Sequence, residues 1–421
     1  MSNHTGATRA WGYIAAAMAV GFPSVVLRLF GVHLSPEIDA LIYGMGILGA
    51  AFVLSWAVEV AQLHIAASLA IAILAFVAIL PEYAIEGVLA WSAGGAWHVG
   101  ANPEAVPEVA RVAANVTGAN RFLIGIGWSL VVLVSWLKER KSLLLERGIS
   151  RELAVLTVAT AVTFLLFFMQ QVALYVAGFL IALYLFYLWI SSKGETQEPE
   201  LLGPAAAVGG LAKRPQITAI LIMFIYAAAV IFLAAEPFVD GLIQTGSKLG
   251  IDDFILIQWL APLASESPEL VIAVLFTMRG HPTAAMTTLI SSAVNKFTVL
   301  VGSMPFIFSL SFGRFRAFPL NHQQAIEFLL TASMSLFALG LIGRLRIAWY
   351  GTLVTLGLFI AHLFFTGSGT RLIFALMFLG LLAVVLIADR GRILEIYRRV
   401  ISVFSFGHGF PKEGPAPAHH S

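Results

Sequence analysis

Cysteine is absent from this chain of 421 residues, and charged residues are scarce, at 11% of the total. The lack of cysteine excludes disulfides and metal sites that use thiolate ligands. The low charge is not typical of a soluble domain, in which about 25% of the residues are charged. Hydrophobic residues make up 59% of the chain, and the mean hydropathy is +0.90. The composition therefore predicts an all-α polytopic membrane protein.

Other patterns are missing as well, and they narrow the functional classes. The net charge of +2 is too small to indicate a nucleic-acid partner. The ten histidines are scattered, and none has the HExxH-type spacing of a zinc enzyme. No constellation of a nucleophile and a base is apparent, so we do not expect an enzyme. We expect no cofactor other than transported Ca²⁺, Na⁺ or H⁺.

Apolar runs divide the chain into twelve predicted membrane-spanning helices. These cover approximately residues 11–30, 38–60, 65–94, 106–136, 152–170, 172–191, 217–244, 251–279, 283–311, 324–342, 347–366 and 371–388. Most Lys and Arg residues then fall on the side of the membrane that also holds both termini. Because cytoplasmic loops are enriched in these residues, we expect both termini in the cytoplasm and the chain in the plasma (inner) membrane.

The chain contains an internal repeat. Residues 65–82 and 251–269 have nearly equal lengths, and both end in Pro-Glu. A further segment follows each of them, Asn120-Arg121-Phe122 in the first half and Asn295-Lys296-Phe297 in the second. The repeating unit has five spans, and an odd number forces the second copy to lie upside down relative to the first, as in many secondary transporters.

The predicted organisation follows from this repeat. It comprises an N-terminal tail and extra helix (1–37), a first five-helix repeat (38–191), a cytoplasmic linker (192–216), a second, inverted five-helix repeat (217–366), and an extra helix with a cytoplasmic tail (367–421).

Two glutamates, Glu82 and Glu269, follow prolines near the centre of the two Pro-Glu helices. A charged side chain at this depth is costly, by roughly 2.5–3.5 kcal/mol for Asp on insertion scales. Proline lacks a backbone N–H, so we expect broken helices with free carbonyl groups at these points. Glu86 lies one turn after Glu82, and Glu266 is similarly placed beside Glu269. We predict that these four carboxylates bind an ion.

These segments resemble the α-repeats of the cation/calcium exchanger superfamily, which includes the sodium/calcium exchangers, and the chain looks like a divergent prokaryotic-type member. In that family each repeat carries Gly-Thr-Ser-x-Pro-Glu and Gly-Asn-x-x-Gly-Ser-Asn. The corresponding segments here are Val77-Ala-Ile-Leu-Pro-Glu82, Ala114-Asn-Val-Thr-Gly-Ala-Asn120, Ala264-Ser-Glu-Ser-Pro-Glu269 and Ser291-Ser-Ala-Val-Asn295. The resemblance implies that Glu82 and Glu269 are the central Ca²⁺ ligands. It also implies flanking positions for Asn115, Asn120, Ser265, Ser291, Ser292 and Asn295.

The chain departs from the family pattern at five positions. Ala78 and Ile79 replace two hydroxyl residues that help to bind Na⁺ in the family, and Glu266 replaces a serine. Arg121 and Lys296 stand where the family has apolar residues. We hypothesise that these two residues are built-in counter-charges to the four glutamates, which leaves a net charge of −2. Structural ion pairs with Glu86 or Glu266 are the alternative role.

The sequence predicts a secondary antiporter that exchanges Ca²⁺ for Na⁺ or H⁺ by alternating access. A Na⁺/H⁺ antiporter is the alternative, favoured by the missing hydroxyls and the extra carboxylates, and a cation channel is a third class. Glu59 and Asp240, on the helices before the Pro-Glu segments, are candidates for an ion path. The expected partners are the lipid bilayer and inorganic cations, and a homo-oligomer is left open.

Overall fold

The structure, a computed structural model, describes residues 2–64, 80–98, 101–192 and 201–405. These residues are helical nearly throughout, and ten of the helical segments are long and apolar enough to cross a bilayer. An eleventh apolar helix, Trp349–Leu363, is shorter. The predicted all-α polytopic fold is therefore confirmed. The first half of the first Pro-Glu helix (65–79), including Ala78 and Ile79, lies outside the described residues.

The helices follow the predicted order. The first repeat comprises α2 (Pro36–Ala61), α3 (Leu80–Ala96), α4 (Pro107–Phe122), α5 (Ser129–Glu139), α6 (Ser150–Met169) and α7 (Leu174–Ser191). The second comprises α9 (Lys213–Leu249), α10 (Asp253–Met278), α11 (Pro282–Asn295), α12 (Val301–Phe312), α13 (His322–Ile342) and α14 (Trp349–Leu363). Outside the repeats lie α1 (Ser2–Phe30), the short α8 (Pro204–Gly209), α15 (Ser368–Ala388) and α16 (Gly391–Phe404).

A turn of π-helix interrupts the third membrane crossing of each repeat at the same point. It covers Leu123–Trp128 between α4 and α5, and Lys296–Leu300 between α11 and α12. In both copies the π-helical turn begins within two residues of the Asn-basic pair, Asn120-Arg121 or Asn295-Lys296. Such turns are rare and are frequently found at functional sites.

Two short strand pairs show that the repeats run in opposite directions. The strands are β1 (Leu143–Leu144), β2 (Gln171–Val172), β3 (Phe318–Pro319) and β4 (Arg346–Ile347). Strand β2 follows the fourth crossing of the first repeat, and it pairs with β3, which follows the third crossing of the second repeat. Paired strands must lie on the same side of the bilayer. Equivalent helices of the two repeats therefore point in opposite directions, as an inverted repeat requires.

A constant offset of 175 residues relates the repeats from the third crossing onward. The hydroxyl of Thr160 on α6 lies 3.0 Å from that of Ser335 on α13, 175 residues away. The same offset relates two backbone hydrogen bonds, in which Leu145 donates to Leu345 at 2.8 Å and Leu320 donates to Gln170 at 3.0 Å. The contact between α6 and α13 therefore lies on the pseudo-twofold axis of the fold.

The two repeats also meet where α4 of the first crosses α10 of the second. Gly118 lies at this crossing, and a Cβ atom added to it would come within 2.0 Å of the backbone oxygen of Gln258. That carbonyl group has no helical donor, because the residue four positions later is Pro262. Glycine thus permits a close approach of the two helices at a point where α10 lacks one backbone hydrogen bond.

The second Pro-Glu helix is less disrupted than the sequence predicts. Helix α10 continues through both Pro262 and Pro268 without a break. The prolines still remove the N–H groups that would bond the carbonyls of Gln258 and Ala264. Neighbouring helices pack around α10, and the prolines remove two helical hydrogen bonds without ending the helix.

Candidate ion-binding site

Lys296 lies among carboxylates at the start of the second π-helical turn. Its Nζ lies 3.6 Å from Oε2 of Glu266 and 3.9 Å from Oε2 of Glu269, both on α10. It also donates a hydrogen bond to the hydroxyl of Ser292, one turn earlier. Lys296 and Glu266 are buried, whereas the side chain of Glu269 is 18% exposed. The second repeat therefore supplies two acids and one base to a single intramembrane cluster.

Glu82 brings the first repeat into this cluster. Its side chain is buried near the N-terminal end of the described part of α3, and it interacts electrostatically with both Lys296 and Glu269. Glu266 likewise interacts with Glu82. The structure thus brings the two predicted central glutamates, one from each repeat, into the neighbourhood of one ammonium group. With all four groups ionised, the cluster carries a net charge of −2.

Glu86 lies one turn further along α3, in a neighbouring and separate environment. It is fully buried, and its Oε2 accepts a hydrogen bond of 2.9 Å from Nδ2 of Asn115 on α4. Tyr83, the residue after Glu82, lies close enough for its phenol group to interact electrostatically with both Glu82 and Glu86. The hydrogen bond from Asn115 thus holds Glu86, and Tyr83 lies near both glutamates of the first repeat.

The other predicted flanking residues lie on the same helices but have mixed partners. Asn120 donates to the carbonyl of Val116, and its Oδ1 is buried with no partner among the described residues. Ser265 donates to the carbonyl of Ala261 at 3.2 Å. Ser291 accepts from the hydroxyl of Tyr187 at 3.0 Å, and Asn295 is buried. Most of these groups thus form hydrogen bonds within the protein, whereas Oδ1 of Asn120 remains available to a ligand.

Several carboxylate oxygens in this region have no hydrogen-bond donor. Within the described ranges, the buried oxygens without a donor are Oε2 of Glu82, Oε1 of Glu86, both oxygens of Glu266 and Oε2 of Glu269. Lys296 lies beyond hydrogen-bond distance of Glu266 and Glu269 and offsets only part of the charge. Because buried charged oxygens without donors are strongly destabilising, the cluster favours additional protons, a cation or water. Carboxylate oxygens are also the ligands that Ca²⁺ prefers.

The described residues contain no ready-made group of three acidic or imidazole side chains at metal-binding distances. Lys296 instead occupies the space between the acids, where its ammonium group neutralises part of their charge. Binding of a divalent cation by all three carboxylates therefore requires the ammonium group or the carboxylates to move.

Arg121 does not join this cluster, in contrast to the symmetrical role that the sequence suggested for it and Lys296. Its Nη2 donates at 2.6 Å to Oε2 of Glu327 on α13, in the opposite repeat. Arg371 on α15 donates to the same oxygen at 2.6 Å, and its guanidinium also reaches Gln258 on α10 at 3.2 Å. All four side chains are almost completely buried. Arg121 therefore belongs to a structural ion cluster that ties both repeats to the extra helix.

Two members of this second cluster are hard to detect from the sequence. Arg371 stands at the first residue of the predicted span 371–388, and in the structure it is 1% exposed at the beginning of α15. Gln258 lies in an apolar run with no motif around it. The available signal was the presence of an arginine at the edge of a span, since a charge there requires a partner within the protein.

The two acids predicted for an ion path lie away from the central cluster. Glu59, near the end of α2, accepts a hydrogen bond from the backbone of Leu202, and its Oε2 has no partner among the described residues. Asp240 on α9 is exposed and lies near Glu236 and Arg28. Glu59 is near the C-terminal end of α2, whereas Asp240 lies beside the beginning of α2, where Gly241 packs against Ala40. The two residues therefore lie towards opposite faces of the bilayer.

The fold and the site together define a class of protein, a helical membrane protein of two inverted repeats with buried acids from both copies at their interface. A sequence profile described as Sodium/calcium exchanger protein matches residues 40–193 and 219–368. The chain belongs to this family. No curated protein sequence gives a significant match.

Solved structures agree with this assignment. The H⁺/Ca²⁺ exchanger CAX is 36% identical, with a TM-score of 0.87, and the match covers 95% of this chain and 99% of CAX. Two more distant structures share the fold. Native YfkE is 14% identical with a TM-score of 0.59, and the match covers 84% of this chain and 98% of YfkE. The sodium–calcium exchanger NCX_Mj is 15% identical with a TM-score of 0.52, and the match covers 81% of this chain and 99% of NCX_Mj. The predicted family resemblance and the multi-pass membrane character are confirmed.

Proposed function

We propose that this protein is a secondary antiporter that exchanges Ca²⁺ for H⁺ by alternating access, with Glu82, Glu266 and Glu269 as the acids that bind the ions. The observation that carries the proposal is the set of buried carboxylate oxygens without donors, contributed by both repeats around Lys296. Protons and Ca²⁺ are both able to satisfy these oxygens, and they cannot do so at the same time.

The charge of the cluster supports an exchange of one kind of cation for another. Three carboxylates and one ammonium group give −2, which one Ca²⁺ or two protons neutralise. Arg121 does not enter this sum, because it pairs with Glu327, which also pairs with Arg371. In a medium of low dielectric constant a neutral cluster is strongly preferred. The repeat interface is therefore favoured to move across the membrane when loaded with Ca²⁺ or with protons, which couples the two flows.

Protons are preferred to Na⁺ as the counter-ion for two reasons. Glu266 stands where the resemblance expects a serine hydroxyl, and the carboxylates outnumber free hydroxyls around Lys296. The similar structure at 36% identity is that of an H⁺/Ca²⁺ exchanger. We further propose that the chain lies in the plasma membrane with both termini in the cytoplasm, because of the distribution of its basic residues.

Ca²⁺ flux into proteoliposomes tests this function. We expect an imposed pH gradient to drive Ca²⁺ uptake, a Na⁺ gradient to have no effect, and Glu82→Gln or Glu269→Gln to abolish the uptake. Glu236→Gln is the matched control, because this glutamate lies on the protein surface and pairs with Arg28. Uptake that ignores both gradients would assign a channel, and Na⁺/H⁺ exchange without Ca²⁺ transport would assign the alternative antiporter.

A further inference from the structure

Helix α16 is an amphipathic segment that begins directly after the last membrane-spanning helix, α15. One of its faces is bound to the protein. Arg392 donates to the carbonyls of Gly340 and Leu341 at 2.9 and 2.7 Å, and Arg399 donates to that of Gly343 at 3.2 Å. These carbonyls are at the C-terminal end of α13, where helical donors are lacking. The arginines of α16 therefore cap α13.

A second face of α16 is apolar, and no other part of the described chain covers it. Ile393, Leu394, Tyr397 and Ile401 are 51%, 46%, 61% and 44% exposed. Their spacing places them within one arc of about 100° on the helix. Glu395 and Arg398 are exposed on the adjoining face. A helix with one apolar and one charged face, located at the end of a membrane span, lies in the plane of the bilayer interface.

An open groove of about 420 Å³ lies between the end of α15 and α16. Leu386 and Ile387 of α15 line one wall, and Leu394 and Tyr397 of α16 line the other. Arg390 stands at the corner of the groove and is exposed. Within the described part of the chain Arg390 forms no ion pair, whereas the preceding residue, Asp389, pairs with two other arginines. The groove thus combines apolar walls with one unpaired positive charge.

We propose that this groove binds an anionic phospholipid, with an acyl chain along the apolar walls and the phosphate at Arg390. Guanidinium groups bind phosphate strongly because their N–H groups match its oxygens in geometry and charge. The covalent position of α16 places the groove at the depth where the phosphates of the adjacent leaflet lie. A lipid fits these chemical features better than a soluble ligand, because the apolar walls continue into the lipid-facing surface of α15.

The bound lipid has a structural consequence for the transporter. It holds α16 against the membrane, and α16 in turn caps α13 through Arg392 and Arg399. Helix α13 carries Glu327 and packs against α6 at the pseudo-twofold axis. The anionic lipid therefore stabilises the helix pair around which the repeats are arranged. This inference is independent of which ions the protein exchanges.

The absence of cysteine allows a direct test of the orientation of α16. Single-cysteine variants Ile393→Cys, Tyr397→Cys and Glu395→Cys are spin-labelled in full-length protein in lipid nanodiscs. We expect labels at 393 and 397 to be accessible to oxygen and protected from a water-soluble nickel complex, and the label at 395 to show the opposite. Equal exposure of all three labels to nickel would overturn the proposal. Spin–spin broadening at 393 and 397 would also overturn it, by showing that a second copy covers this face.

Native mass spectrometry with phosphatidylglycerol then tests the anionic headgroup. We expect Arg390→Gln to lower the affinity for this lipid about fivefold, the contribution of one arginine near an anionic surface. Arg314→Gln, at an exposed arginine between α12 and β3, is the control and is expected to bind as the wild type does. Equal binding by Arg390→Gln and the wild type, or equal binding of phosphatidylglycerol and phosphatidylcholine by the wild type, would refute the site.

Discussion

Replacement of Gly118 by alanine is a sharp test of how the two repeats pack. The new Cβ atom would lie 2.0 Å from the backbone oxygen of Gln258 and 2.9 Å from its carbonyl carbon. Ordinary contact begins at 3.4 Å, so α4 and α10 must separate by about 1.4 Å at their crossing. Neither atom belongs to a flexible side chain, so a rotamer change cannot relieve the clash.

The magnitude follows from two opposing effects. Alanine is favoured over glycine within a helix by about 1 kcal/mol. Overpacking of a buried contact costs about 1–3 kcal/mol, and we expect the upper part of this range because the clash is with backbone. The variant should therefore be less stable than the wild type. Transport should fall as well, because the shift of α4 displaces Asn115 from Glu86.

Thermal stability in detergent, followed by size-exclusion chromatography, and Ca²⁺ flux together measure these effects. Gly178→Ala on α7 is the matched control, because a Cβ atom there would meet no atom within 4 Å. The control should be as stable as the wild type, or slightly more stable. If Gly118→Ala matched the control in both stability and flux, the close crossing of α4 and α10 would be refuted.

Three further predictions concern the charged and polar contacts. Lys296→Gln changes the cluster charge from −2 to −3. We therefore expect half-maximal Ca²⁺ uptake at a lower Ca²⁺ concentration and an altered number of protons exchanged per Ca²⁺, measured with parallel Ca²⁺ and pH indicators. Unchanged values for both quantities would count against a charge-balancing role. Glu327→Gln leaves two buried arginines without their carboxylate and should destabilise the protein by about 3–5 kcal/mol, whereas Glu152→Gln, at the equivalent position in α6, should cost less in the same thermal assay; equal losses would contradict this. A double-mutant cycle with Thr160→Val and Ser335→Ala should give a coupling energy of about 0.5–1.5 kcal/mol for the axial hydroxyl contact, and a value near zero would show that the contact is not formed.

The order of the helices was predictable from the sequence because membrane insertion imposes strong local constraints. An apolar run must be helical and about 20 residues long to cross a bilayer. The predicted span 324–342, for example, corresponds to α13, which runs from His322 to Ile342. The inverted orientation followed from the odd number of spans in the repeat, and the pairing of β2 with β3 supports it directly.

The roles of the two basic residues could not be separated from the sequence. Arg121 and Lys296 occupy equivalent positions, 175 residues apart, and each interacts with the hydroxyl residue one turn earlier, Thr117 or Ser292. Their carboxylate partners differ, because Arg121 shares Glu327 with Arg371 of the extra helix α15, whereas Lys296 pairs with Glu266 and Glu269. The repeat carried part of this signal, since Ile79 stands in the first copy where the second has Glu266, but Arg371 lies outside the repeat.

Two other features depended on tertiary packing. The sequence predicted breaks at prolines, but α10 continues through Pro262 and Pro268 because adjacent helices support it. The sequence did not predict a helix in the segment after α15, where residues 391–404 form α16. Its apolar residues recur with helical spacing among arginines, so average hydropathy does not detect it. Residues 406–421 lie outside the described part of the chain.

The most direct measurement of the central claim is equilibrium binding of Ca²⁺ to the purified protein as a function of pH. The account predicts that Ca²⁺ binds at high pH and that protons displace it as the pH falls. Glu82→Gln and Glu269→Gln should each weaken Ca²⁺ binding, because each removes a carboxylate ligand, whereas Glu236→Gln should leave the affinity unchanged. Binding of Ca²⁺ that is independent of pH, or that survives both substitutions, would contradict a shared site for Ca²⁺ and protons between the two repeats.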